Sequence, residues 1–152
     1  MRNSRNETAL IFAARRGHAD VVKMLMRKGA DAEAKDEHGN TALMLAASED
    51  KVEVVRTLVK SGADIGARNR YGNAAINRAA DANRIETVKE LLRLGADINS
   101  KGEFGRAPLI SAVERGYLDL AKFLVQQGAN VNAASEDGRT ALMWCRGDIL
   151  RK

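Results

Sequence analysis

The chain has 152 residues, a formal net charge of +5, 45% hydrophobic and 30% charged side chains, the profile of one folded globular domain and not of a disordered tail. It holds no apolar run of the roughly eighteen residues that a membrane helix needs, and the polar start from Met1 to Thr8 has no apolar leader stretch, so a cytoplasmic protein is expected. The single cysteine, Cys145, excludes an internal disulfide framework, and one proline with few aromatics favours helices over a many-stranded β-fold.

A period of 33 residues organises the sequence. Gly-Ala recurs at Gly29-Ala30, Gly62-Ala63, Gly95-Ala96 and Gly128-Ala129. A second glycine recurs in register at Gly39, Gly72, Gly105 and Gly138. A third ladder runs through Ala9-Leu10, Ala42-Leu43, Ala75-Ile76, Pro108-Leu109 and Ala141-Leu142. Three ladders with one spacing divide a single domain, 1–152, into units 3–35, 36–68, 69–101, 102–134 and a partial fifth, 135–152.

Each unit reads as two helices and a turn. The first begins with polar Asn3, Ser4, Arg5 and Asn6, then places Arg15 and Arg16 late on its first helix and offers Ile11 and Phe12 on an outer face. The turn between helices carries Gly17, Asp50, Asn83 and Gly116 in successive units, residue types that tolerate positive φ. In the third unit, Asn73 to Asp81 is short and alanine-rich, as close packing requires. Ile85, Val88, Leu91 and Leu92 then give a second helix one apolar face, ended by Gly95. The stretch that follows reads as extended and suits a β-hairpin between units. In the fifth unit Arg139 to Cys145 suits a first helix, and Ile149 and Leu150 are expected to fold back over the fourth unit. Incomplete capping there exposes apolar surface, with Trp144 a candidate for weak self-association at the C-terminal end.

The segment Asp36-Glu-His-Gly-Asn-Thr-Ala-Leu-Met-Leu-Ala-Ala, continued from Val52 through Gly62-Ala-Asp-Ile, resembles the ankyrin repeat, and the resemblance covers essentially the full chain. It implies an all-α solenoid of stacked helix pairs with β-hairpin loops along one edge. It also implies a scaffold or adaptor that binds a partner protein through the hairpin tips and the concave inner-helix face. The family's Thr-Pro-Leu-His is Thr8-Ala-Leu-Ile, Thr41-Ala-Leu-Met, Ala74-Ala-Ile-Asn, Ala107-Pro-Leu-Ile and Thr140-Ala-Leu-Met in this chain. Without the histidine, the family's threonine–histidine hydrogen bonds are expected to be absent, and the third unit, with Ala74 and Asn77, to be the weakest.

Chemistry-bearing motifs do not stand out. There is no phosphate-binding glycine loop, nucleophile elbow or zinc-protease helix, so no catalytic residue, metal or cofactor is expected. His18 and His38 lie in different positions of their units, and Cys145 falls in a column otherwise held by Ala13, Ala46, Ala79 and Ala112. Partner recognition then rests on positions that vary between units. The residues before the turn glycine, Arg5, His38, Tyr71, Phe104 and Asp137, form one row, with Tyr71 and Phe104 flanked by Arg70 and Arg106. The inner-helix positions add Arg15, Arg16, Glu49, Asp81 and Arg115. The first 35 residues carry eight basic against four acidic side chains, enough to steer an acidic peptide, whereas the acidic second unit interrupts any basic stripe of the kind nucleic acid needs.

Overall fold

The structure is a computed structural model that describes residues 2–3 and 7–144. Four helix pairs follow one another: α1 (Ala9–Arg16) and α2 (Ala19–Arg27), α3 (Ala42–Ser48) and α4 (Val52–Lys60), α5 (Ala75–Asp81) and α6 (Ile85–Arg93), α7 (Pro108–Glu114) and α8 (Leu118–Gln126). Residues 141–144 are again helical. First helices stack α1 on α3 on α5 on α7, and second helices stack α2 on α4 on α6, so the chain builds two layers of helices, an all-α solenoid.

Local sequence sets these lengths. Thr8 and Thr41 cap α1 and α3 by accepting from the amides of Ile11 and Met44. Pro108 opens α7 at its first position, where no amide donor is needed. Between the helices of each pair the backbone turns left-handed at Gly17, Asp50, Asn83 and Gly116, with φ of 80°, 59°, 58° and 76°, so one conformational need explains a column of unlike residues. Inside the stack Ala46, Ala79 and Ala112 are fully buried, and Ala13 nearly so, letting neighbouring backbones approach. Val88 and Leu91 are fully buried on α6, while Ile85 and Leu92 pack half-buried on the rim.

The segments between pairs turn back on themselves, but they are not the strand-paired β-hairpins that the repeat pattern suggests. Each is closed by only a few backbone bonds, as from Asp36 N–H to Asn40 O and Gly39 N–H to Asp36 O, and from Asn69 N–H to Asn73 O and Gly72 N–H to Asn69 O. Among the described residues the one β-bridge is isolated, between Ala134 and Thr140. A loop this short leaves no length for a ladder, and side chains supply the remaining bonds instead.

The histidine slot is filled in two ways. Ile11, Met44 and Ile110 are almost fully buried there, so Ile11 is core and not outer surface. In α5 the slot holds Asn77, whose Oδ1 accepts from Ala74 N–H and whose Nδ2 donates to Ser100 O at 2.7 Å. The hydrogen bonding expected to be lost in the third unit is therefore present, supplied by an amide.

On the outer layer, Glu90 ties α6 to α4. It is 8% exposed and accepts from Arg56 Nε at 2.9 Å and from Arg93 on its own helix. These two guanidinium groups, Arg93 foremost and then Arg56, pull its pKa down to about 2 from an ordinary 4.5.

Two measurements test this packing. Leu91→Ala is expected to cost about 2–5 kcal/mol in chemical unfolding, and Leu92→Ala clearly less; equal losses would contradict the burial assigned to the two positions. Because Glu90 titrates lower when folded than when unfolded, its contribution is complete above pH 4.5 and disappears as pH falls through about 2. Glu90→Gln should therefore melt lower than the parent at pH 7 and show a flatter acid limb; parallel limbs would refute the clamp.

Candidate functional site

Hairpin tips and first helices together enclose two adjoining hollows. One, of about 450 Å³, is lined by Glu7, Arg15, Asp36, Glu37, His38, Asn40, Leu45, Tyr71 and Arg78. The other, of about 510 Å³, is lined by Ser48, Glu49, Tyr71, Asn73, Arg78, Asp81, Ala82, Glu103 and Arg115. Tyr71 and Arg78 belong to both and form the ridge between them.

The hairpins are rigid because their first residue wires the loop. Asp36 Oδ1 accepts from the amides of His38 and Asn40 at 2.9 and 2.8 Å. Asn69 Oδ1 does the same for Tyr71 and Asn73, both at 3.0 Å. Adjacent hairpins are linked by Arg70 N–H to His38 O and by Asn69 Nδ2 to Asn40 Oδ1. The fourth unit has Gly102 in that column and no side chain to wire its loop. Asn73 Oδ1 reaches across to accept from Glu103 N–H at 2.8 Å, occupying the space where a Cβ on Gly102 would stand 2.2 Å away. The loop tightens into a 3-10 turn, Glu103–Gly105, and Phe104 takes φ 57°, a conformation that costs a residue with a side chain about 1–2 kcal/mol.

This difference separates the aromatic row. Tyr71 is 51% exposed and its ring lies 6.4 Å from that of His38. Phe104 is 56% exposed, lies under the Arg106 guanidinium at 5.0 Å, and lines a different depression with Arg139 and Trp144. Among the described residues no ring contact joins Tyr71 to Phe104. Arg70 is exposed beside them, and Arg5 lies outside the described residues.

Most inner-helix charges are engaged within the protein. Arg15 pairs with buried Glu7 at 2.9 Å, Arg106 with Glu114 at 3.0 Å, and Arg115 faces Asp81 at 3.9 Å. Arg16 rests on the Phe12 ring at 4.8 Å. Glu49 is exposed in the second hollow. On the tip row, Asp137 is held below the usual carboxylate range by the Ser135 hydroxyl. Among the described residues no group of three or more His, Cys, Asp or Glu is placed to hold a metal ion, and no helix is long and apolar enough to cross a membrane.

The residue that sequence reasoning missed is Arg78. Its column reads Phe12, Leu45, Arg78, Ser111 and Trp144, so an arginine stands where neighbouring units have apolar or small residues, and that break in pattern was the available signal. Its Nε is buried, and no hydrogen bond or ion pair joins it to any described residue. An unpaired buried donor costs about 1–3 kcal/mol.

At the C-terminal end Leu109, Val113, Ala121, Val125, Val131 and Leu142 line an apolar hollow. Exposed apolar surface lies at Val125, Val131, Leu142 and Met143, whereas Trp144 is half-buried beneath Arg139 at 5.2 Å. The fold-back expected of Ile149 and Leu150, and the packing of Cys145, lie outside the described residues.

Stacked helix pairs with loops projecting at one edge define a repeat solenoid. A family model of ankyrin repeats, spanning three copies, matches residues 1–69 and 76–150, and the chain belongs to the ankyrin repeat family. A search of curated proteins returned no match. Ankyrin repeats are in general protein–protein interaction modules and typically non-catalytic.

Replacing Gly102 by Ala is expected to lower stability by about 1–3 kcal/mol, because Asn73 must leave the Glu103 amide. A thermal melt identical to the parent's would show that the fourth hairpin does not depend on that contact.

Proposed function

We propose that this chain is a non-catalytic protein-interaction module, a scaffold or adaptor whose four units and partial fifth act as one domain. It holds a partner protein between the hairpin tips and the inner-helix face. Tyr71 carries the reading: a half-exposed aromatic ring on a ridge between two hollows, mounted on a loop whose amides are all engaged. An aromatic side chain of few rotamers on a rigid loop loses little entropy on binding, which is what makes an efficient anchor. Phe104 under Arg106 supplies a second anchor one hairpin further on. Arg15, Arg106 and Arg115 face carboxylates of the chain itself, which supports a protein partner over nucleic acid: phosphate tracking needs several unpaired cations along one face.

The test is affinity capture from a lysate of the source organism, with Tyr71→Ala/Phe104→Ala as the control. A protein retained by the parent and lost by the folded double variant is expected. The same protein retained equally by both would overturn the assignment of the anchors. Raising salt from low to moderate concentration should weaken capture less than tenfold if the aromatic anchors dominate.

A further inference from the structure

Arg78 is set apart from its neighbours by three observations. Its Nε is buried without a partner, whereas Arg15 and Arg115 around the same groove each face a carboxylate. Its column does not need a cation for packing, since Leu45 fills the same slot at 7% exposure and Ser111 at 5%. The carboxylates of the hollow it shares with His38 are already occupied: Glu7 accepts from Arg15 and Asn3, Asp36 accepts from its own loop, and Glu37 faces His38 at 3.6 Å. A guanidinium thus lines a groove with its hydrogen-bonding capacity unused, beside the exposed ring of Tyr71.

We propose that Arg78 is a carboxylate-binding anchor, taking an acidic side chain from an extended segment of the protein partner laid across the Tyr71–Arg78 ridge. The inference rests on the reading of this groove as the partner-binding face, and it names the chemistry recognised there. The two terminal nitrogens of a planar guanidinium present a fork that a carboxylate matches with two parallel hydrogen bonds. Tyr71 lines the same two hollows and offers an apolar ring to the rest of the bound segment. Glu49 and Glu103 line the far hollow, and no ion pair joins either to a described residue. The other hollow is likewise lined by carboxylates, Glu7, Asp36 and Glu37. Discrimination therefore depends on the fork and not on bulk charge.

The experiment uses the full chain and a synthetic tetraglutamate peptide, with tetralysine as the control, followed by the arginine Nε–Hε resonances in nitrogen-edited NMR at low salt. The expected result is a saturable shift of the Arg78 signal with tetraglutamate, and at least tenfold weaker binding to Arg78→Lys, which keeps the charge and loses the fork. Arg78→Leu, which copies Leu45, should melt at or above the parent temperature while losing the peptide. An unmoved Arg78 signal, a uniform shift of all arginine signals, preferential binding of tetralysine, or a lowered melting temperature in Arg78→Leu would each overturn the proposal. The two readings fail separately. Capture of the partner lost in Tyr71→Ala/Phe104→Ala but kept in Arg78→Lys would leave the interaction face standing without this anchor. A peptide-induced Arg78 shift together with unaltered capture by the double variant would do the reverse.

Discussion

No helix pair in this chain can bury its own apolar face, and everything else follows from that constraint. A seven-residue inner helix such as α3 or α5 is too short to persist alone in water, so its stability comes from neighbours on both sides. The alanine column makes this possible. At Ala46, Ala79 and Ala112 the absence of a larger side chain brings successive backbones close, and Leu58, Leu91 and Leu124 then fill the space between the layers. Close stacking fixes the repeat at one height, and the hairpin tips inherit that spacing.

Hydrogen bonds repeat with the same period. Arg2 donates to Lys35 O, Lys35 to Arg68 O and Arg68 to Lys101 O, each spanning 33 residues. Long cationic side chains with unlike head groups perform one task, because a carbonyl oxygen accepts from either. The hairpin column Asp36, Asn69, Gly102 is less forgiving. There the side-chain oxygen must reach two amides of its own loop, and glycine has none to offer. Its replacement by Asn73 from the preceding loop couples two tips through one acceptor and re-aims Phe104. A single missing side chain thus divides what the repeat pattern presents as a uniform aromatic row.

How much of this was legible in the sequence depended on the kind of constraint. Backbone demands were plain: a left-handed turn accepts only glycine, asparagine or aspartate at low cost, so Gly17, Asp50, Asn83 and Gly116 announced themselves. Apolar spacing located α6, although it did not separate fully buried Leu91 from half-buried Leu92, since a stripe shows which face turns inward and not where its edge falls. Strand pairing among the described residues is confined to the isolated Ala134–Thr140 bridge, because an extended composition is equally that of a short loop closed by a turn. The histidine column misled for another reason. Its absence removes one set of hydrogen bonds, but burial of Ile11 and Met44, or an amide at Asn77, meets the same need by different physics.

Charge was the least legible property, and the reason is visible in two equivalent ion pairs. Glu7–Arg15 and Arg106–Glu114 join the same two positions of the repeat with the signs exchanged. A count of basic residues per unit registers Arg15 and Arg106 as free potential, while in the fold each is neutralised eight residues away in sequence by a partner from the same unit. Such exchange leaves the local field nearly unchanged and removes both arginines from the supply of available anchors. Among the described residues, the rings of Tyr71 and Phe104 stay about half exposed, the latter beneath Arg106, and the guanidinium of Arg78 keeps a donor without a partner. The exceptions to the repeat are therefore where unsatisfied groups collect, because the buried positions that obey the period hold successive units together.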